Sequence, residues 1–440
     1  MDLTSVAVIA SGLLVFSLIS GRLHGTSLTA PMVFILFGFL AGTDGLAIAI
    51  VNPDHGTIHL IAELTLILIL FTDAARISIT RLRRDHNLPV RMLLIGLPMT
   101  IVLGAIFAVQ MFPNLLFWEA VLVAALLAPT DAALGQSVVT AIGVPVRIRQ
   151  TINVESGLND GIALPAVLLF AALASAQADA ADAGGWIRFG LMQIALGPVA
   201  GIVVAYVGAR LIDVAVARGW VNDSYQGISI LALALVTYAA AELMGGNGFI
   251  AAFVGGMVFG NTIRHPCTFL FEFMETEGTL LMLITFFIFG AALLPEGLAH
   301  FSLPVLLYAV LSLTLIRMIP VAVSLLGSGL RLPTVLFLGW FGPRGLASIL
   351  FVLLILEKAE LVHRGELLSI TVATVALSAL FHGLSAAPLA KRYASMVANM
   401  GDCQEIRPAT ELPLREGHIG YGKKHKGHTR DEQDCIDEMG

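Results

Sequence analysis

Charge is scarce in this 440-residue sequence. Asp, Glu, Lys and Arg together make up 13%, against 57% hydrophobic residues, and no soluble domain of this size has that balance. The phosphate-binding pattern G-x-x-x-x-G-K-[ST] is absent, so nothing indicates a nucleoside-triphosphate motor. The pattern H-E-x-x-H is absent too. Gly157-Leu158-Asn159-Asp160 lacks the second glycine that the G-x-G-D of an intramembrane aspartyl protease needs. The three cysteines, Cys267, Cys403 and Cys435, have no metal spacing and imply no pairing. Met1–Ser20 has neither a basic start nor an A-x-A cleavage site, and reads as a first membrane span. No repeated selectivity-filter segment is present.

What the sequence has in quantity is long apolar runs, which suit membrane helices rather than barrel strands. Thirteen spans are expected, at about 3–20, 28–46, 57–75, 89–110, 117–142, 150–174, 186–212, 225–243, 248–260, 271–294, 302–325, 333–356 and 366–390. The ninth is short, and its Gly255, Gly256 and Gly260 suit close helix packing. Basic residues fall in alternate loops: Arg76, Arg81, Arg83, Arg84 and Arg91; Arg147 and Arg149; Arg210 and Arg218; Arg264; Arg331; Lys391 and Arg392. The positive-inside rule puts those loops in the cytoplasm, the N-terminus outside and the C-terminus inside. Lys358 and Arg364 are the exceptions on the other side. The tail 396–440 is polar, carries His418, His425 and His428, and reads as disordered.

Isolated acids inside apolar runs are costly, and they usually face a cavity and act there. The stretch Gln150–Pro165 holds Glu155 and Asp160, with Ser156 and Asp160 on one helical face. Pro129 should open its helix and free carbonyls, beside the Thr130 hydroxyl and the Asp131 carboxylate. These are hard oxygen donors for a small cation. A desolvated carboxylate can hold either a proton or a cation, each expelling the other. Phe341–Gly345, FGPRG, breaks a third run. The breaks in spans five and twelve lie seven spans apart, so their helices run in opposite directions. That offset predicts two inverted six-helix repeats and an ion site near the midplane. Arg344, Arg317 and Glu63 are further charges inside spans, and each needs a partner. Glu63 is expected to pair with Arg344, and Arg317 to compensate charge. His382 is expected to be a packed, hydrogen-bonded residue.

The stretches LAPTDAALGQ, NVESGLNDG and FGPRG together resemble the monovalent cation–proton antiporters, in the branch of NhaP-type sodium–proton exchangers. The resemblance covers residues 1 to about 395. It implies a homodimer in the cell membrane, with dimerisation helices at about 3–75 and 225–294 and a moving core at about 89–174 and 302–390. Spans five and twelve would be unwound and cross near the ion. Asp160 matches the cation- and proton-binding aspartate and Asn159 its preceding asparagine. Thr130 and Asp131 match the unwound-helix ligands, Glu155 and Ser156 complete the site, and Glu63 and Arg344 match a buried pair. Many relatives carry a second proline where this chain has Ala132. The expected function is secondary exchange of Na⁺ for H⁺, not enzyme catalysis, without cofactor or nucleic acid. Asp160 and Asp131 would bind the Na⁺. K⁺/H⁺ or Li⁺ exchange, a cation channel and an intramembrane protease are the alternatives. Because the neighbour of Asp160 is an amide, exchange is expected to be one for one, with Asp131 anionic and Glu155 protonated throughout.

Overall fold

The structure, a computed structural model, describes residues 3–23, 26–49, 51, 56–77, 79, 87–131, 133–178, 183–264, 268–401 and 403–406. Every regular element among them is helical. In chain order these are α1 (Leu3–Leu23), α2 (Ala30–Ala41), α3 (Gly56–Ala75), α4 (Asn87–Met111), α5 (Phe117–Leu126), α6 (Gln136–Val139), α7 (Val146–Ala178), α8 (Ala183–Ala217), α9 (Asp223–Leu243) and α10 (Gly248–Thr262). Then come α11 (Thr268–Ile288, running on to Ala299), α12 (Leu303–Leu313), α13 (Leu315–Ser324), α14 (Leu332–Trp340), α15 (Leu346–Lys358) and α16 (Arg364–Ala398). A 3₁₀ turn, Gln404–Ile406, closes the described chain. Eight helical stretches among the described residues are long and apolar enough to cross a membrane. Leu14 and Leu18 of α1 and Val203, Val207 and Leu211 of α8 are exposed, as a surface facing lipid tails requires.

The interruptions have local causes. Both π turns, Met92–Gly96 and Phe289–Leu293, come directly before a Leu-Pro pair, Leu97-Pro98 and Leu294-Pro295. A proline cannot donate to the preceding turn, and the wider turn absorbs the mismatch. The short α10 packs by backbone contact, as its glycines suggest. A Cβ on Gly256 would lie 2.1 Å from the Phe71 carbonyl oxygen of α3. The Asn247 side chain caps this helix, accepting from the amides of Phe249 (3.1 Å) and Ile250 (3.0 Å).

Two ends of the bundle are clamped by polar contacts. At one end, fully buried Glu119 accepts hydrogen bonds from the amides of Val362 (2.7 Å) and His363 (3.0 Å), and lies 2.7 Å from His363 Nδ1. This joins the start of α5 to the α15–α16 connection. At the other end, Arg147 of α7 donates to the Gln404 carbonyl (2.5 Å) and Arg331, before α14, donates to the Met400 carbonyl (2.9 Å). The starts of α7 and α14 and the end of α16 therefore share one side, as the alternation of basic loops requires. The polar tail begins differently from expectation: α16 runs to Ala398 and residues 404–406 fold back onto the bundle. The remainder of the tail, with its histidines, lies outside the described residues, as do Cys267, Arg81, Arg83, Arg84 and Ala132.

Candidate cation site at the crossing of two broken helices

Helix α5 stops at Leu126, just short of Pro129, and α14 stops at Trp340, just short of Pro343. The two breaks meet. The Asp131 amide donates to the Pro343 carbonyl (2.8 Å), and the Ser348 hydroxyl donates to the Leu126 carbonyl (2.7 Å). Each break carries a charge that serves the other. Asp131 Oδ2 accepts from the Leu346 amide (2.9 Å) at the start of α15, while its Oδ1 accepts from the Ala133 amide (2.8 Å). Arg344 Nη1 donates to the carbonyls of Ala128 (3.2 Å) and Pro129 (3.4 Å), beyond the end of α5, and to that of Gly342 (3.2 Å) in its own break. An anion at a helix N-terminus and a cation at a C-terminus both oppose the macrodipole favourably. Gly345 permits this closeness: a Cβ there would lie 2.3 Å from Asp131 Oδ2.

Helix α7 brings the third motif to the crossing. Asn159 donates to Thr130 Oγ1 (2.5 Å) and to the Thr130 carbonyl (3.3 Å). Because a carbonyl can only accept, this fixes which way the amide points. Asn159 Oδ1 then lies buried with no hydrogen-bond partner among the described residues. Ser156 Oγ is 3.1 Å from Thr130 Oγ1. Thr130, Asp131, Ser156 and Asn159 are all buried, whereas the next residue, Asp160, is partly exposed. Among the described residues no three His, Cys, Asp or Glu converge in a metal-ligating cluster. The donors available are hydroxyl, amide and carboxylate oxygens, the set that suits a hard cation.

Two sequence expectations are corrected here. Glu63 and Arg344 do not pair. Glu63 Oε1 accepts from the Tyr238 hydroxyl (3.1 Å) and lies 3.8 Å from Lys358 Nζ, while Arg344 is held by backbone carbonyls. A helix that ends inside the bundle offers a guanidinium several carbonyls, and these replace the acid. Glu155 is also not a solitary acid. It forms an ion pair with Arg317 of α13, Nη2 to Oε1 at 2.6 Å and to Oε2 at 2.8 Å, with both side chains buried. Arg317 and Glu155 thus lie as each other's counter-ion. The guanidinium also lies against Gly342, where a Cβ would sit 2.4 Å from Nε. His382 is packed as expected, between the carbonyls of Trp340 (2.8 Å) and Ser378 (3.0 Å). Nothing in the sequence marks Ser348, Ser378 (which accepts the Arg344 amide at 2.7 Å) or the close approach at Gly345. Small residues in a glycine- and alanine-rich chain carry no mark of such roles.

Interrupted helices that cross inside a membrane-embedded bundle, with a carboxylate at one break and a guanidinium at the other, define an ion-translocating membrane protein. Residues 9–392 match the transmembrane sodium/hydrogen exchanger family, and the chain belongs to that family. It is 25% identical over 396 residues to the K(+)/H(+) antiporter NhaP of Alkalimonas amylolytica, covering 89% of this chain and 67% of that one. It is 26% identical over 346 residues to the K(+)/H(+) antiporter NhaP2 of Shewanella sp. strain ANA-3, covering 78% of this chain and 58% of the relative. The Na(+)/H(+) antiporter ApNhaP of Aphanothece halophytica is 26% identical over 396 residues, covering 85% of this chain and 72% of that protein. The fold is similar to that of the sodium proton antiporter MjNhaP1 from Methanocaldococcus jannaschii at pH 8. The TM-score is 0.72 at 19% identity, with 87% of this chain and all of that one covered.

Proposed function

We propose that this protein exchanges one monovalent cation, Na⁺, for one proton at a site made by Asp160, Asp131, Thr130, Ser156 and Asn159. The observation that carries this reading is the pair of hydrogen bonds from the Asn159 amide to Thr130. It holds the helix of Asp160 against the break that contains Asp131. Asp131 is held by two amides, and Glu155 is held by Arg317. Asp160, partly exposed and next to the Asn159 that binds the break, is the carboxylate that alternates between proton and cation. Asn159 Oδ1, buried without a hydrogen bond, supplies a neutral oxygen beside it.

The two breaks are the centres of two inverted six-helix repeats within thirteen spans, with the N-terminus outside, the C-terminus in the cytoplasm and the protein in the cell membrane. The opposed directions of α5 and α14, whose starts lie at opposite ends of the bundle, support the repeat. Access follows from packing. Asn153, Gly157 and Asp160 share a face of α7 and are partly exposed, and no described atom lies within 4 Å of a Cβ on Gly157. That face runs from Asp160 toward the cytoplasmic end. On the other side, the Phe253 ring abuts Gly161, where a Cβ would lie 2.1 Å from Cδ2. There Ala62, Glu63, Leu66 and Phe249 pack against Leu350, Leu353, Leu354 and Glu357, leaving a cavity of about 10 Å³, room for about one water. The site in this state opens inward. Alternation moves the core helices, α4–α7 and α12–α16, against α1–α3 and α9–α11, which form a homodimer.

The test is proton flux in proteoliposomes driven in turn by Na⁺, Li⁺ and K⁺. Flux should be strongest with Na⁺ and vanish in Asp160→Asn. Stronger flux with K⁺ would reassign the cation, and flux retained in Asp160→Asn would remove Asp160 from the site.

A further inference from the structure

The half-helices that lead into the two breaks are capped in different ways. Helix α5 carries its own carboxylate: Glu119, at the third helical position, accepts from the Leu116 amide at the N-cap (3.1 Å). Helix α14 has no acid in its first turn, and its third position is Thr334. The carboxylate comes instead from beyond the last span. Glu405 Oε1 accepts from the amide of Arg331, the N-cap of α14 (2.9 Å), and from the Thr334 hydroxyl (2.9 Å). Glu405 is fully buried. The Thr334 hydroxyl also lies 3.0 Å from the Tyr393 hydroxyl, and the Tyr393 ring stacks on Phe337 of α14 at 4.1 Å.

Arg331 and Arg147 hold the segment that carries Glu405, through the carbonyls of Met400 and Gln404. Burial works against the Glu405 charge, yet hydrogen bonds from the Arg331 amide, its own amide, the Thr334 hydroxyl and the Cys403 thiol together outweigh it and hold the carboxyl below its ordinary range. An anion there also complements the positive end of the α14 dipole. Helix α14 is only nine residues long and ends at the break that carries Arg344 and receives Asp131. A shift at its start is therefore passed to the cation site.

We propose that Glu405 is a positioning residue for cation exchange, supplying to α14 from the C-terminal segment the capping carboxylate that Glu119 supplies to α5. The proposal rests on the exchange reading above. It brings Glu405, beyond the last apolar run, into the transport unit, and ties that segment directly to one of the two broken helices.

The test uses the full chain in proteoliposomes and reads apparent KM and maximal rate per folded protein, with folded amount measured by size exclusion and tryptophan fluorescence. Glu405→Ala should raise the apparent KM for Na⁺ by ~10-fold, the usual scale for losing a group that orients a ligand. Adding Thr334→Glu to that variant, which copies the arrangement of α5, should bring KM back toward the parent. A Glu405→Ala protein that loses only folded amount, with parental KM in what remains, would overturn the proposal. So would a double variant that folds but keeps the raised KM. If Glu405→Ala yields no folded protein, Glu405→Gln decides: it keeps an acceptor oxygen without the charge, and a parental KM would overturn the proposal. A parent protein inert with Na⁺, Li⁺ and K⁺ would bring down the exchange reading itself, a result distinguishable from any of these.

Discussion

The ion pair between Glu155 and Arg317 makes a quantitative demand. One nitrogen, Arg317 Nη2, sits 2.6 Å and 2.8 Å from the two carboxylate oxygens, with side-chain exposures of 1% and 3%. Removing either partner leaves a charge in a place it cannot be solvated, at about 3–5 kcal/mol. Arg317→Gln and Glu155→Gln should each destabilise by that amount. The two together should cost far less than the sum, about 0–2 kcal/mol, because no orphaned charge remains and a neutral pair fills similar volume. The coupling between the sites should therefore be several kcal/mol in magnitude, well above the few tenths expected for residues that do not interact. The assay is unfolding of the purified protein in mixed micelles by SDS titration, with all four proteins under one set of conditions. Single variants within ~1 kcal/mol of the parent, or losses that simply add, would refute the ion pair as the state of Glu155. Glu155 would then return as a candidate proton carrier, and the one-for-one stoichiometry would fall with it.

Other outcomes follow from the same geometry. Gly345→Ala should push Asp131 from the Leu346 amide, at about 1.5–3 kcal/mol for a hydrogen bond to a charged group. Cation-driven proton flux should fall by about tenfold or more, and parental flux would show that the breaks can separate without consequence. Asp160→Asn should abolish cation-driven proton flux while the purified protein still folds and elutes as the parent does, and retained flux would remove Asp160 from the site. If proton and cation compete for Asp160, raising Na⁺ should move the acidic limb of the pH–activity profile to lower pH, and an immobile limb would mean a separate pH sensor. One-for-one exchange moves no net charge, so the Na⁺ gradient that nulls proton flux should not shift with a clamped membrane potential. A second charge would shift it, at about 2.3 kcal/mol per 100 mV.

Much of this protein follows from hydropathy, proline and isolated acids, because each acts within a few residues of itself. A long apolar run forms a helix in a bilayer whatever surrounds it. Pro129 and Pro343 end their helices by removing a donor from the adjoining turn, and Gly256 can approach a neighbour closely for want of a side chain. So the helical membrane architecture, the positions of the breaks and the residues Thr130, Asp131, Ser156 and Asn159 were all legible. The partners of buried charges were not. Inside an apolar bundle a charge must find compensation, but sequence does not say from where, and several candidates were equally available to each. Crossing the two breaks presented Arg344 with the carbonyls at the end of α5 and left Glu63 to Tyr238 and Lys358. The placement of α13 gave Arg317 to Glu155. Glu405 was hidden most completely: it follows the last apolar run in a polar stretch without periodicity, and it acts on an amide 74 residues earlier in the chain. Local chemistry sets where a chain breaks and which charges it carries inward. Only the tertiary structure decides which of those charges meet, because pairing depends on distances between helices that have no separation in sequence to predict them.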